Sequence, residues 1–213
     1  MSKNELPDTK EGRVDWVIRA ESNEEMRRRY DLWAQAYDGD VGSYEDYLVP
    51  KEAVKVAEQV LDRAALIVDA GAGTGLVGET LKAAGFARLI AVDYSRGMLD
   101  VAREKGVYEA LHQCDLSGPT EFADDTIDCV ITCGTTTQMP CVSLREFARI
   151  VRPGGLVIFG VVPDGWERCG YAGILADLEA AGKMSVDSKG PAFQMLPTTE
   201  PDFFCEIWVM RVH

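Results

Sequence analysis

Apolar positions along this chain fall into two rhythms. Continuous apolar runs recur at 64–68, 87–93, 126–132 and 156–162. Turn residues bound each run, as they do for strands buried on both faces. A shorter strand-like run starts at Tyr108 and ends at Asp115. Between the runs, apolar residues return at helical spacing. The pattern predicts helices opening after Ser22 and over 50–63, 76–84, 95–105, 143–152 and 171–181. Ser22 and Ser143 each stand three residues before a Glu, the arrangement of a capping box. Ser95 is a candidate N-cap, Pro50 suits a first helical turn, and Gly85, Gly106 and Gly182 follow helix ends. Two antiparallel strands are expected in the tail, over 192–196 and 203–212. Segments 39–49 and 163–170 read as loops, the first as a lid or acceptor-facing one. Residues 1–20 carry no sustained pattern and are expected to be mobile, with Trp16-Val17-Ile18 as a docking segment. Strands alternating with helices predict an α/β fold with a mostly parallel sheet.

The turn after the first strand is rich in glycine: Asp69-Ala70-Gly71-Ala72-Gly73-Thr74-Gly75. Glycines there let backbone approach a ligand, because no Cβ stands in the way, and the following helix start offers free N–H groups. This implies a nucleotide-like ligand. Counted from Gly71, the third position of the dinucleotide fingerprint G-x-G-x-x-G falls on Leu76 and the match fails; a Walker loop is absent as well. Asp93 ends the second strand, 18 positions after Gly75. A carboxylate at that distance accepts ribose hydroxyls in dinucleotide folds. Asp115 ends the third strand-like run, although by itself it reads equally well as a turn former before Ser117-Gly118-Pro119. Asp69, Asp93 and Asp115 thus stand at three consecutive strand ends, where open α/β sheets bind their ligands.

The string D-x-G-x-G-x-G at Asp69–Gly75, D-x-S-x-x-M-L at Asp93–Leu99, and L-R-E-F-A-R-I-V-R-P-G-G-L at 144–156 together resemble the class I S-adenosylmethionine methyltransferases. The resemblance covers roughly residues 30–162. It implies a Rossmann-like three-layer sandwich: a mostly parallel seven-stranded sheet with an antiparallel last strand and helices on both faces. It also implies S-adenosylmethionine as cofactor, with S-adenosylhomocysteine as product. Carried over position by position, Asp69 reaches toward the methionine amino group, and Ala70, Gly71, Gly73 and Gly75 leave room for the cofactor. Asp93 and Tyr94 take the ribose side, Met98 packs on adenine, and Cys114, Asp115 and Leu116 bond the adenine edge. Cys133 and Gly134 lie beside the site. Y-D-x-W-A-x-x-Y-D at Tyr30–Asp38 resembles the N-terminal segment of ubiquinone- and menaquinone-biosynthesis methyltransferases. There it caps the cofactor, with Tyr37 and then Tyr30 as contact candidates. The wider pattern is most similar to the Williams–Beuren syndrome region methyltransferase-like proteins. A helical cap (21–63) on a single domain (21–213) follows from this reading.

Composition narrows the partners. The net charge of −13 repels a phosphate backbone, so nucleic acid is not an expected substrate. The basic run Arg27-Arg28-Arg29 reads as a solvated helix face paired with Glu24 and Glu25. Six cysteines without C-x-x-C spacing and only two histidines, His112 and His213, give no metal-site pattern. Free thiols in a cytoplasmic monomer are expected, with the nucleus left open. No apolar run approaches the ~20 residues that span a bilayer.

Methyl transfer is an in-line displacement that needs alignment and exclusion of water, and a base only for a protonated acceptor. After the fourth strand, Cys133-Gly134-Thr135-Thr136-Thr137-Gln138-Met139-Pro140 departs from the [ND]-P-P-[YF] of amino-group methyltransferases and carries no His. A small or medium organic acceptor is therefore expected, contacted by Tyr44, Tyr47, Thr136, Gln138, Trp166 and Arg168. A cofactor-binding module without catalysis and a methyltransferase of protein side chains stay open beside it.

Overall fold

The computed structural model describes residues 5–41, 46–198 and 200–213. Eight strands are described: β1 (Ile67–Ala70), β2 (Leu89–Asp93), β3 (Ala110–Gln113), β4 (Ile127–Thr132), β5 (Val151–Val161), β6 (Met184–Lys189), β7 (Phe193–Leu196) and β8 (Glu200–Val212). The sheet order is β3-β2-β1-β4-β5-β8-β6, and β7 pairs with β8. Strands β1 to β5 pair in parallel, and β8 runs antiparallel to β5, β6 and β7. This is the Rossmann-like sheet with one reversed strand. The chain crosses from the β1-β2-β3 side to the β4-β5 side between β1 and β4, and that reversal opens a crevice at the strands' carboxyl ends.

Period-two alternation sorts the core into two layers. Ile67, Cys129, Ile131, Ile158, Ile207 and Val209 point to one side, where α3 (Val49–Val60) and α4 (Leu76–Ala83) cover them with Val49, Ala53, Ala57 and Leu81. α5 (Arg96–Glu104) joins this side, because its Leu99 packs on Ala91, two positions from Leu89. Val68, Val130, Val157, Phe159 and Met210 point to the other side. There α6 (Ser143–Ile150), α7 (Pro163–Arg168) and α8 (Tyr171–Ala180) bring Phe147, Trp166 and Tyr171.

Several local readings change. The segment before residue 20 contains a helix, α1 (Lys10–Ile18), with Val17 buried. The basic run pairs as expected, Arg27 with Glu24 and Arg29 with Glu25, and Arg28 is exposed, but Arg29 is buried rather than solvated: it is 6% exposed and stacks its guanidinium over Trp16. Ser143 is no cap; Val142 takes that place. Glu146 instead accepts from the Thr120 N–H and hydroxyl at 2.6 Å and pairs with Arg149 at 2.6 Å. The expected loop at 163–170 holds α7, begun by Pro163. β6 was unforeseen, since its stretch Ser185-Val186-Asp187-Ser188 is mostly polar and, of the whole strand, only Met184 is buried. The β7–β8 hairpin reaches back across the chain: Met195 accepts from the Leu48 N–H at 3.0 Å, and Asp46 accepts from the Thr198 N–H at 2.9 Å. Among the described residues no helix is long and apolar enough to cross a membrane, and all six cysteines are free.

Candidate functional site

The crevice holds a cavity of about 860 Å³, open to solvent, at the carboxyl ends of β1 to β4. α2 (Asn23–Asp40) roofs it. Sequence explains that helix: Ser22 accepts from the Glu25 N–H at 3.2 Å, and Glu25 reaches back to the Glu21 N–H at 2.8 Å. Its aromatic face gathers Tyr30, Trp33 and Tyr37, the last two edge-to-face with centroids 4.8 Å apart. Trp33 is core, 3% exposed, with its indole N–H on Asp40 at 2.6 Å. Tyr30 and Tyr37 line the cavity together with Met26 and Arg27.

The floor is built by strand ends. Gly71 comes so close to Thr135 that a Cβ would meet its Cγ2 at 2.5 Å, and φ is +73° there. Asp93 fixes the turn: one carboxylate oxygen accepts the Gly73 N–H and the other the Ser95 N–H, both at 2.8 Å. Ser95 in turn caps α5, accepting from the Met98 N–H at 3.1 Å. Burial, the largest influence, pushes the Asp93 carboxyl above its usual range, while those two N–H bonds pull the other way.

Asp69 sits differently. It is 1% exposed and absent from the cavity lining; one oxygen accepts the Tyr108 hydroxyl at 2.6 Å. Its other oxygen has no hydrogen-bond partner among the described residues. Burial pushes its pKa up to about 7, opposed by the Tyr108 bond and reinforced by Asp93. Tyr108 occupies space that two glycines leave free: a Cβ on Gly78 would lie 2.2 Å from its ring and hydroxyl, and one on Gly75 3.1 Å. Read from Gly73 rather than Gly71, Gly73-Thr74-Gly75-Leu76-Val77-Gly78 does carry a third glycine at fingerprint spacing. Its role is to admit Tyr108.

Of the residues expected at the cofactor, Tyr37, Gly71, Gly73, Asp93, Tyr94, Met98, Cys114, Asp115, Leu116, Cys133 and Gly134 line the cavity, while Asp69, Ala70 and Gly75 lie behind it. Of those expected at the acceptor, Tyr47 and Gln138 line it. Tyr44 lies outside the described residues. Thr136 is turned into the core, its hydroxyl on the Gly160 carbonyl at 2.8 Å. Trp166 is 3% exposed and packed among Phe159, Tyr171 and Trp208; Arg168 is exposed and off the cavity. Asn23, Met26, Arg27, Ser95, Thr135, Met139 and Pro140 join the lining unforeseen. The helical face through Tyr30 and Tyr37 already contained the signal for Met26 and Arg27, one turn earlier.

These residues fit an adenosyl sulfonium ligand. An ionised carboxylate offers about four lone-pair directions; Asp93 uses two on backbone and keeps two for a vicinal diol. Gly73 presents bare backbone, with no atom within 4 Å of where a Cβ would stand. Asp93 and Asp115 supply negative charge for a cation.

Residues 68–159 match the family model described as a methyltransferase domain. The human Methyltransferase-like protein 27 is 40% identical over 134 residues, covering 60% of this chain and 54% of its own. It is consistent with the resemblance to the Williams–Beuren region group. The demethylmenaquinone methyltransferase of Clavibacter sepedonicus is 32% identical over 139 residues, covering 61% and 56%. The chain therefore spans about half the length of the curated relatives it matches. Among solved structures, the [4+2]-cyclase SpnF superposes with TM-score 0.69 at 16% identity, covering 91% of this chain and 97% of that one. That likeness speaks for the fold alone.

Proposed function

We propose that the chain is a class I methyltransferase that transfers a methyl group from S-adenosylmethionine to a small or medium organic acceptor. The observation that carries the proposal is Asp93: a half-buried carboxylate at the end of β2, fixed by the N–H groups of Gly73 and Ser95 and lining the cavity at the sheet's reversal. When bound, the cofactor supplies an activated methyl on a positively charged sulfur. The chain supplies the rest. Asp93 holds the ribose hydroxyls. Tyr94, Met98, Asp115 and Leu116 hold the adenine ring against the ends of β2 and β3. Tyr30 and Tyr37 close the roof and exclude water, and the residues after β4 face the acceptor. Neither histidine serves as base: His112 packs on Phe122 and His213 bonds Ser185.

Calorimetric titration with S-adenosylmethionine, S-adenosylhomocysteine and NAD in parallel tests this reading. Micromolar binding of the first two without NAD supports it, and binding of NAD alone overturns it. A second reading, a cofactor-binding module that does not methylate, is favoured by the lack of a histidine base at the acceptor end. A methylated product from any acceptor removes it.

A further inference from the structure

The two ends of the cavity differ in charge. Its charged lining residues among those described are Arg27, Asp93 and Asp115, and all three lie toward β2 and β3. Arg27 is placed there by its guanidinium over Tyr94, 5.7 Å from the ring centre, and it is paired with Glu24 and Asp31. The β4 end is uncharged. It is formed by Cys133, Thr135, Gln138 and Met139, with the Tyr47 hydroxyl over Gly134, 2.5 Å from where a Cβ would stand. Tyr30 and Tyr37 approach from the roof, with ring centres 6.3 Å apart. Burial raises all three phenols, Tyr37 to about 12 and the others in the same direction, so they remain hydroxyl donors at neutral pH.

We infer that the β4 end of this cavity takes an uncharged thiol on an apolar or aromatic body, and that the thiol loses its proton to water rather than to a protein base. This rests on the methyltransferase reading and narrows its acceptor. A carboxylate or phosphate acceptor needs a cation, and an ammonium needs a carboxylate; neither lines this end among the described residues, and Asp69, the nearby carboxylate, lies behind the lining. Alcohols and phenols, with pKa about 10 or higher, need a base. A thiol, with pKa about 8.5, is already a few per cent thiolate at pH 7 and intrinsically nucleophilic. Hydroxyl donors favour its anion, and the sulfur atoms of Cys133 and Met139 make a soft, polarizable wall. In the transfer, the thiolate sulfur forms a bond to the methyl carbon as that carbon's bond to the departing sulfur breaks. The broken bond's electron pair stays on the departing sulfur, and the thiol proton has already gone to water.

The test uses the full chain loaded with S-adenosylhomocysteine and four naphthalene probes, naphthalene-2-thiol, 2-naphthol, 2-naphthoate and 2-naphthylmethylamine, with binding compared at a pH low enough to keep the free aromatic thiol protonated and high enough to ionise the naphthoate. Calorimetry is expected to show the thiol binding at least tenfold more tightly than the naphthoate and the amine. Ultraviolet titration is expected to show the bound thiol ionising at lower pH than the free one, and Tyr47→Phe is expected to reverse part of that shift. With S-adenosylmethionine, mass spectrometry is expected to find the methyl thioether as the main product. Equal or tighter binding of the naphthoate or amine, methylation of either or of the naphthol at a rate matching the thiol, or no thiol binding to the loaded protein would each overturn the inference. Glu45 lies outside the described residues, so Glu45→Gln is the control for a hidden base: an unchanged thiol ionisation and rate is expected, and loss of either overturns the inference. Failure of S-adenosylhomocysteine itself to bind would overturn the underlying methyltransferase reading instead.

Discussion

Asp31, on the roofing helix, accepts hydrogen bonds from both the Ser95 hydroxyl at 2.7 Å and the Gly97 N–H at 2.9 Å. Ser95 also donates its N–H to Asp93, so one carboxylate ties the roof to the turn that holds the proposed ribose acceptor. Asp31→Ala leaves these two donors and the Arg27 guanidinium, which also donates to Asp31, without that acceptor. The expected cost is about 1–3 kcal/mol of stability, with S-adenosylhomocysteine affinity falling several-fold. Denaturant melts and calorimetry check both, and Asp31→Asn should recover part of each. Unchanged values in the alanine variant would show that α2 is held by other contacts.

Gly78→Ala should destabilise, against the usual preference of helices for alanine. The propensity gain is about 1 kcal/mol, but the new methyl would stand 2.2 Å from the Tyr108 ring. Overpacking of this kind costs about 1–3 kcal/mol, and displacing the ring also breaks the bond to Asp69. Gly78→Ala combined with Tyr108→Ala relieves the clash, so the double variant should be more stable than the sum of the singles predicts. Strict additivity in the melting data would count against this packing.

Asp69 sets a pH dependence of stability. Its folded pKa is raised to about 7 by burial, whereas an unfolded Asp titrates near ~4. Between those values the native state binds the extra proton, so stability declines as pH rises through the window and levels off above it. Asp93 is shifted in the same direction and adds to the decline. Asp69→Asn should flatten the slope without abolishing it. Melting temperatures recorded from pH 4 to pH 8 decide the matter; an unaltered slope would mean that Asp69 stays ionised in the fold.

Trp166→Ala should cost about 3–5 kcal/mol, the range for emptying a buried aromatic site. The ring stacks on Tyr171 with centroids 4.9 Å apart and touches Phe159 and Trp208. Chemical denaturation gives the loss directly. A near-native stability with changed acceptor preference would instead move Trp166 into the site.

What was legible in the sequence was local. Apolar runs bounded by turn residues mark strands, and so β1, β2, β4 and β5 could be placed, the first two with an acid at or near their ends beside the cavity. Pairings between distant positions left no such mark. Tyr108 and Asp69 are 39 positions apart, and nothing in either neighbourhood predicts their bond. Glu146 appeared to serve Ser143 because the two are three residues apart, but Thr120 and Arg149 satisfy it better. Trp166 falls in a segment that reads as a loop, 163–170, but Pro163 starts a short helix there that buries the indole. β6 escaped notice because a sheet-edge strand needs little apolar sequence.

The β7–β8 hairpin reaches 152 positions back to hold Asp46, and one residue further along Tyr47 enters the cavity. The proposed cofactor contacts of the floor come from residues 71–116, whereas the wall opposite them includes Tyr47, whose neighbour Asp46 is held by a hairpin late in the chain. On the proposed reading, the two reactants are thus met by separate stretches of sequence. Exchanging 190–204 between relatives should transplant a preference for acceptors while leaving cofactor affinity where it was.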